Sequence, residues 1–194
     1  SNPKVYIFDE VYHAFTAREY LSNHIEAWEW WTTPPKDVAY EWTHPPVAKY
    51  GMVIGMLLFG ENSTAWRLGS AITGVISIYG IYLPVSALTK NKNVALFSAF
   101  LLSIEGLHLA QSRIAMNDMY MMVFFVFALY SAVKSRWKLA AILYGLALGS
   151  KWSALYGVIP LAYLYLNQNY KDFKHFGTII YHVFFALRLL LISV

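Results

Sequence analysis

Hydrophobic and polar positions divide this chain into two parts of different character. Up to residue 63 no apolar stretch reaches the roughly 20 residues that a bilayer-crossing helix needs, and charged residues interrupt every run. Val11, Ala14, Phe15 and Leu21 recur at helical spacing with Arg18 and Glu19 between them. That pattern predicts a short helix over 11–21 lying along a surface. Trp28, Trp30 and Trp31 cluster with Glu26 and Glu29, the mixture expected of an interfacial loop. A Thr-Thr-Pro-Pro breaker follows from Thr32. Pro45 and Pro46 then open a second helix, because a proline at the first helical positions gives up an N–H that has no partner there anyway. The apolar run over 47–60 is too short to cross a bilayer and is expected to lie in, or dip into, the interface.

Beyond residue 63 the pattern becomes that of membrane helices. Apolar runs over 66–88, 94–110, 119–133, 139–149, 152–166 and 176–194 alternate with short polar loops. The loops at 90–92, 134–138 and 171–174 are basic, and by the positive-inside rule they belong in the cytoplasm. Counting crossings backwards puts residues 1–63, 111–118 and 149–152 together on the opposite face, provided that 139–149 and 152–166 cross separately with some tilt. The expected architecture is an all-α polytopic membrane protein. An extracytoplasmic region over 1–63, carrying short amphipathic helices, precedes a transmembrane region over 64–194. The chain opens at Ser1 without Met or signal peptide and stops at Val194 inside an apolar run, as expected of a piece of a longer protein.

Composition agrees with this division. Charged residues make up 13%, against roughly 25% in an ordinary soluble domain. Aromatics at 18% suit interfacial belts. Residues 1–63 hold four Lys/Arg against eight Asp/Glu, and residues 64–194 hold eleven against three. The positive charges sit in loops between apolar runs, which argues against a nucleic-acid-binding face. With no cysteine, disulfides and cysteine-based metal sites are excluded.

Candidate chemistry gathers in a few places. Asp9 and Glu10 are adjacent, so on a helix or strand they point in different directions and hold different roles. A carboxylate beside an apolar surface is disposed to general-base work. Glu41, His44 and Lys49 surround the Pro-Pro helix start. Lys49 stands one turn in, on the face of Pro45, where with the helix N-terminus it could hold a phosphate. Arg67, Arg113, Asp118 and Lys151 all fall near extracytoplasmic span ends and read as the wall of a polar pocket at the membrane surface. Glu105 and His108, one turn apart, read as a structural pair. His13, His24 and His44 with nearby acids lack the spacing of a metal site.

In order along the chain come Phe8-Asp-Glu-Val-Tyr12, Ala17-Arg-Glu-Tyr-Leu21, His44-Pro-Pro-Val-Ala-Lys49, Ala65-Trp-Arg-Leu68, Ser112-Arg-Ile-Ala-Met-Asn-Asp118 and Lys151-Trp152. This set resembles the N-terminal half of the dolichyl-phosphate-mannose–protein mannosyltransferases, within the GT-C membrane glycosyltransferases. Val47-Ala48 and Asn117 depart from the family pattern, which more often has Leu-Gly or Leu-Ala and an apolar residue. The resemblance implies a GT-C-like helix bundle and a metal-independent, inverting transfer of mannose or a related sugar to an acceptor hydroxyl. It implies no cofactor beyond the polyprenyl-phosphate sugar donor, and an active site on the extracytoplasmic or lumenal face. Asp9 would be the base, with Glu10 orienting acceptor or sugar and His44 and Lys49 beside the site. Arg113, Lys151 and Arg67 are candidates for the lipid phosphate, with Asp118 at the same pocket. Protein Ser/Thr, a lipid or a cell-envelope glycan are the candidate acceptors. A transporter or flippase, and a non-catalytic membrane subunit, are the alternative classes.

Overall fold

The structure, a computed structural model, describes residues 6–36 and 39–169, and every regular element among them is helical. The helices are α1 Glu10–Leu21, α2 Val47–Phe59, α3 Ser63–Thr89, α4 Lys92–Ile104, α5 Gly106–Gln111, α6 Asn117–Val133, α7 Trp137–Leu148 and α8 Val158–Gln168. Short 3-10 turns occupy Ile25–Trp28 and Trp152–Gly157. The chain divides into two compact units, Ser1–Gly157 and Val158–Val194. Of the second, only α8 and the residue following it are described, so the basic loop at 171–174 and the apolar run at 176–194 lie outside the described residues.

α3 organises the first unit. Asn62 caps it by accepting the Thr64 and Ala65 N–H groups at 3.1 and 3.0 Å. The helix runs for 27 residues, about 40 Å at 1.5 Å per residue. Its inward face is a seam of small residues, Ser70, Gly74, Ser77 and Gly80, all buried. Small residues let helix backbones approach closely where lipid supplies no hydrophobic drive between helices. α6 uses that seam. Gly74 lies against Met119 and Gly80 against Val126 and Phe127, so α3 and α6 run parallel. The large apolar side chains Ile72, Val75, Ile76 and Tyr79 point outward instead. Among the described residues α3 is the one helix long and apolar enough to cross a membrane alone, and only 22% of its apolar window is buried. A soluble core helix would hide that face.

The apolar run at 94–110, expected as one span, is two helices. Glu105 leaves helical geometry, and its carboxylate accepts the Leu107 and His108 N–H groups at 3.0 and 2.6 Å, capping α5. The run at 152–166 is likewise a 3-10 turn followed by α8. Glu105 and His108 do pair, through the His108 backbone, while the His108 ring meets Ser77 Oγ at 2.9 Å.

α1 and α2 close one end of the bundle. Gly55 of α2 sits against the Ala65 carbonyl at the start of α3, and Gly51 against Tyr120 at the start of α6. The Val47 N–H donates to the Gly149 carbonyl just after α7, at 2.9 Å. α2 therefore lies across the bundle end rather than alongside the long helices, as its length predicts. The main core is at this junction, where Ala14, Ala17, Met52, Met56, Trp66, Ala115 and Tyr120 pack together. The parallel course of α3 and α6 carries Lys90 and Lys134, which follow their C-termini, to the far end.

α1 differs from the amphipathic expectation. Its buried residues are Glu10, His13, Ala14, Phe15, Thr16 and Ala17, so it is covered on more than one face and two titratable residues are buried with it. Ala14 and Ala17 join the main apolar core, and His13 reaches the wall of a cavity.

Candidate active site

A cavity of about 470 Å³ opens at the end of the first unit closed by α1 and α2. Asp9, His13, Glu41, His44, Met116 and Lys151 are on its wall. Three chain regions that the sequence placed on one face thus meet: the N-terminal region, the 111–118 loop and the turn after α7.

Asp9 is the N-cap of α1, half-buried, with its carbonyl accepting the Tyr12 and His13 N–H groups at 3.0 Å each. Among the described residues no side chain or N–H reaches its carboxylate. Glu10 is the opposite case. It is fully buried, and its two oxygens take Arg67 Nε and Nη2, each at 2.6 Å. The same oxygens accept the Ala115 and Ile7 N–H groups at 2.9 Å each. A carboxylate with four donors has no lone pair directed at a substrate. The expectation that Glu10 orients acceptor or sugar by contact is not met by this placement. It ties the segment before α1 to α3 and to the loop before α6, and so fixes Asp9 next to it.

Lys49 also faces inward rather than toward a ligand. It is fully buried, 2.6 Å from Glu41 Oε2, and donates to the His44 carbonyl at 2.8 Å. The Val47 N–H donates to the Gly149 carbonyl, so the start of α2 is tethered to the end of α7. Glu41 collects the rest of this segment, accepting the Thr43 hydroxyl and, at 2.9 Å, the His44 N–H. Burial pushes the Glu41 carboxyl up, but His13, Lys49 and Thr43 together outweigh it and hold it well below the usual carboxylate range. Lys49 is lowered because burial outweighs Glu41. Both partners carry a desolvation cost, which the Glu41 carboxylate recovers from its several donors. What the pair achieves is position: His44, partly exposed, is held at the cavity with its Nδ1 2.9 Å from the Thr43 hydroxyl.

Lys151 also lines the cavity. Its Nζ sits 2.8 Å from each oxygen of Asp118, at the start of α6. Trp152 Nε1 donates to the Thr43 carbonyl at 2.7 Å, joining the turn after α7 to the His44 segment. Of the eight residues expected at the site, Asp9, His44 and Lys151 line the cavity. Glu10, Lys49, Arg67 and Asp118 stand behind them in ion pairs. Arg113 is exposed and is not on the cavity wall. Sequence reasoning gave His13 no role here, although its i+4 spacing from Asp9 puts both on one helix face. Among the described residues no cluster of three potential metal ligands occurs.

The family described as dolichyl-phosphate-mannose-protein mannosyltransferase matches residues 43–194. A polyprenol-phosphate-mannose–protein mannosyltransferase of Mycobacterium tuberculosis is 28% identical over 185 residues, covering 79% of this chain and 34% of the relative. One from Mycolicibacterium smegmatis is 29% identical over 146 residues, with 60% and 28% covered. One from Corynebacterium glutamicum is 25% identical over 143 residues, with 58% and 28% covered. The chain spans about a third or less of the length of these relatives. No solved structure matches it. With a family match over most of its length, the chain belongs to the dolichyl-phosphate-mannose-protein mannosyltransferase family.

Proposed function

We propose that the protein is an integral-membrane, multi-pass glycosyltransferase that moves mannose from a polyprenyl-phosphate carrier to a Ser/Thr hydroxyl of a protein acceptor, with inversion. The observation that carries this reading is the cavity lined by both an unengaged carboxylate, Asp9, and a held cation, Lys151. Donor and acceptor classes come from the names of the relatives, polyprenol-phosphate-mannose–protein mannosyltransferases. The outward apolar face of α3 supports a membrane setting, and the basic residues that follow α3 and α6 at the far end support an extracytoplasmic cavity.

Asp9 takes the acceptor hydroxyl's proton while the acceptor oxygen bonds to the sugar C1. The bond from C1 to the phosphate oxygen breaks, and its electron pair leaves on the lipid phosphate. Negative charge on that phosphate rises from one to two, and Lys151, preset by Asp118, is placed to stabilise the increase. His44 lies on the same wall and can donate to phosphate or sugar oxygens. Glu41, the other carboxylate on the wall, is committed to Lys49. One available carboxylate suits a single displacement, which inverts the anomeric centre.

The test is the full-length gene product in detergent, given polyprenyl-phosphate [3H]mannose and a Ser/Thr-rich peptide. Label in the peptide supports the reading. Label only in co-purified lipid or glycan keeps the transferase and removes the protein acceptor. Donor carried across proteoliposomes with no glycosylated product would replace the enzyme with a transporter.

A further inference from the structure

A second hollow, a groove of about 420 Å³, opens on the first unit, and the mechanism above leaves it without a role. Its wall includes Glu19, Glu26, Thr33, Pro34, Pro35 and Tyr40. These come from the last part of α1, from the 3-10 turn at Ile25–Trp28 and from the segments that follow it. Tyr40 also lines the cavity that holds Asp9 and Lys151, so the two hollows meet at one side chain.

Tyr40 is firmly seated. Its ring stacks on Phe15 with centroids 5.6 Å apart and tilts against Trp42 at the same spacing, and only 9% of the residue is exposed. Its hydroxyl has no hydrogen-bond partner among the described residues. Buried polar groups are ordinarily satisfied, and here an incoming polar group can supply the partner. Burial raises the Tyr40 pKa, and the charges of Glu19 and Glu26 add to it, so the hydroxyl feels the groove's carboxylates. It can donate to a peptide carbonyl or accept a peptide N–H.

The charge of the groove selects the occupant. Glu19 is 2.7 Å from the His24 ring, and Glu29 accepts the hydroxyl of Thr32, another wall residue, at 3.0 Å. Glu26 is exposed and has no ion-pair partner among the described residues, and no Lys or Arg among them lines the groove. An anionic lipid headgroup would be repelled there, and an uncharged glycan would leave Glu26 unanswered. Proline and tyrosine rings beside hydroxyls and carboxylates suit an extended polypeptide that carries positive charge.

We propose that this groove is the acceptor subsite for a Lys- or Arg-bearing stretch of polypeptide, extended past Tyr40 from the Ser/Thr that enters the Asp9 cavity. This inference rests on the transferase reading and narrows its acceptor class. Tyr40 holds the chain where the hollows meet, and Glu26 reads its charge. An extended chain advances about 3.3–3.6 Å per residue, so a basic residue within about five positions of the hydroxyl is in reach.

The test uses full-length protein and peptides with a single Thr in an Ala-Pro background, with Lys, Gln or Glu placed singly at successive positions on either side. On one side, Lys is expected to lower the acceptor KM about threefold below Gln, the size of an exposed ion pair. Glu should raise it, and donor KM should not change. The gap should close in Glu26→Gln, reverse in Glu26→Lys and shrink at high salt. Because Glu26 is exposed and loses no described partner, both variants keep the fold. Tyr40→Phe should raise the KM of every peptide about threefold. Peptides with Ala in place of Thr, followed by fluorescence anisotropy, should give the same ranking as Kd without turnover. KM and Kd independent of peptide charge at every position would overturn the subsite, as would a shift in Glu26→Lys equal for all three peptides. Absence of mannose transfer by wild type, or equal activity in Asp9→Asn, would instead overturn the transferase reading, with the Ala-peptide Kd values still judging the groove.

Discussion

Adjacent carboxylates with opposite surroundings give a sharp experiment, the comparison of Glu10→Ala with Asp9→Asn. Removing the Glu10 carboxylate takes away two acceptors of the Arg67 guanidinium and leaves the buried Ala115 N–H without this acceptor. Breaking one side of a buried ion pair costs about 3–5 kcal/mol. Arg67 retains 23% side-chain exposure, so water can recover part of its charge, and the low end, about 3 kcal/mol, is the expected loss. At about 2–4 °C per kcal/mol for a domain of this size, the unfolding midpoint in detergent should drop by about 6–12 °C. Glu10→Gln keeps the shape and one acceptor oxygen and should fall between the two. Asp9→Asn loses no described partner and should stay within about 0.5 kcal/mol of wild type. The assay is thermal unfolding followed by intrinsic tryptophan fluorescence. A Glu10→Ala protein with an unchanged midpoint and abolished transfer would refute this reasoning and return Glu10 to the substrate.

Two further predictions follow from the site. Lys151→Met should raise the donor KM or lower kcat by about 10–100-fold, and Asp118→Asn should act in the same direction, because it releases the same cation. The double variant should cost less than the two single effects combined, since the residues are in contact; steady-state kinetics over a donor series would show it. Glu41→Gln should destabilise by about 3 kcal/mol or more at neutral pH, because it leaves Lys49 buried and unpaired. Since the folded-state carboxyl is held below its ordinary 4.5, that contribution is complete above about pH 4.5 and fades as pH falls through the lower folded value. Denaturation of both proteins from pH 8 to pH 3 should show a constant gap that narrows only at the acid end.

How far the sequence reached depended on whether a feature was local. α1, α2, α3 and α6 were legible because their apolar runs and breakers are contiguous. The break at Glu105 was not, because its neighbours are apolar enough to continue a helix and only the carboxylate's choice to cap α5 ends it. Adjacency was enough to predict that Asp9 and Glu10 point in different directions. Which of them enters the cavity depends on Arg67 and Ala115, far away in the chain. Lys49 misled in the same way, since its position one turn into α2 suited a phosphate until Glu41 and the His44 carbonyl turned it inward. Lys151, singled out because it interrupts two apolar runs, does line the cavity. His13 could have been found from its spacing to Asp9, but its partners Glu41 and Asn117 are visible only in the fold.

The central claim is that Asp9 is the group that activates the acceptor at a polyprenyl-phosphate-mannose site. It is tested most directly by transfer rates of wild type and Asp9→Asn at saturating donor, with donor binding measured on the same preparations. The account predicts a loss of rate of at least about 100-fold with donor affinity within about twofold of wild type. Equal rates in the two proteins would contradict it.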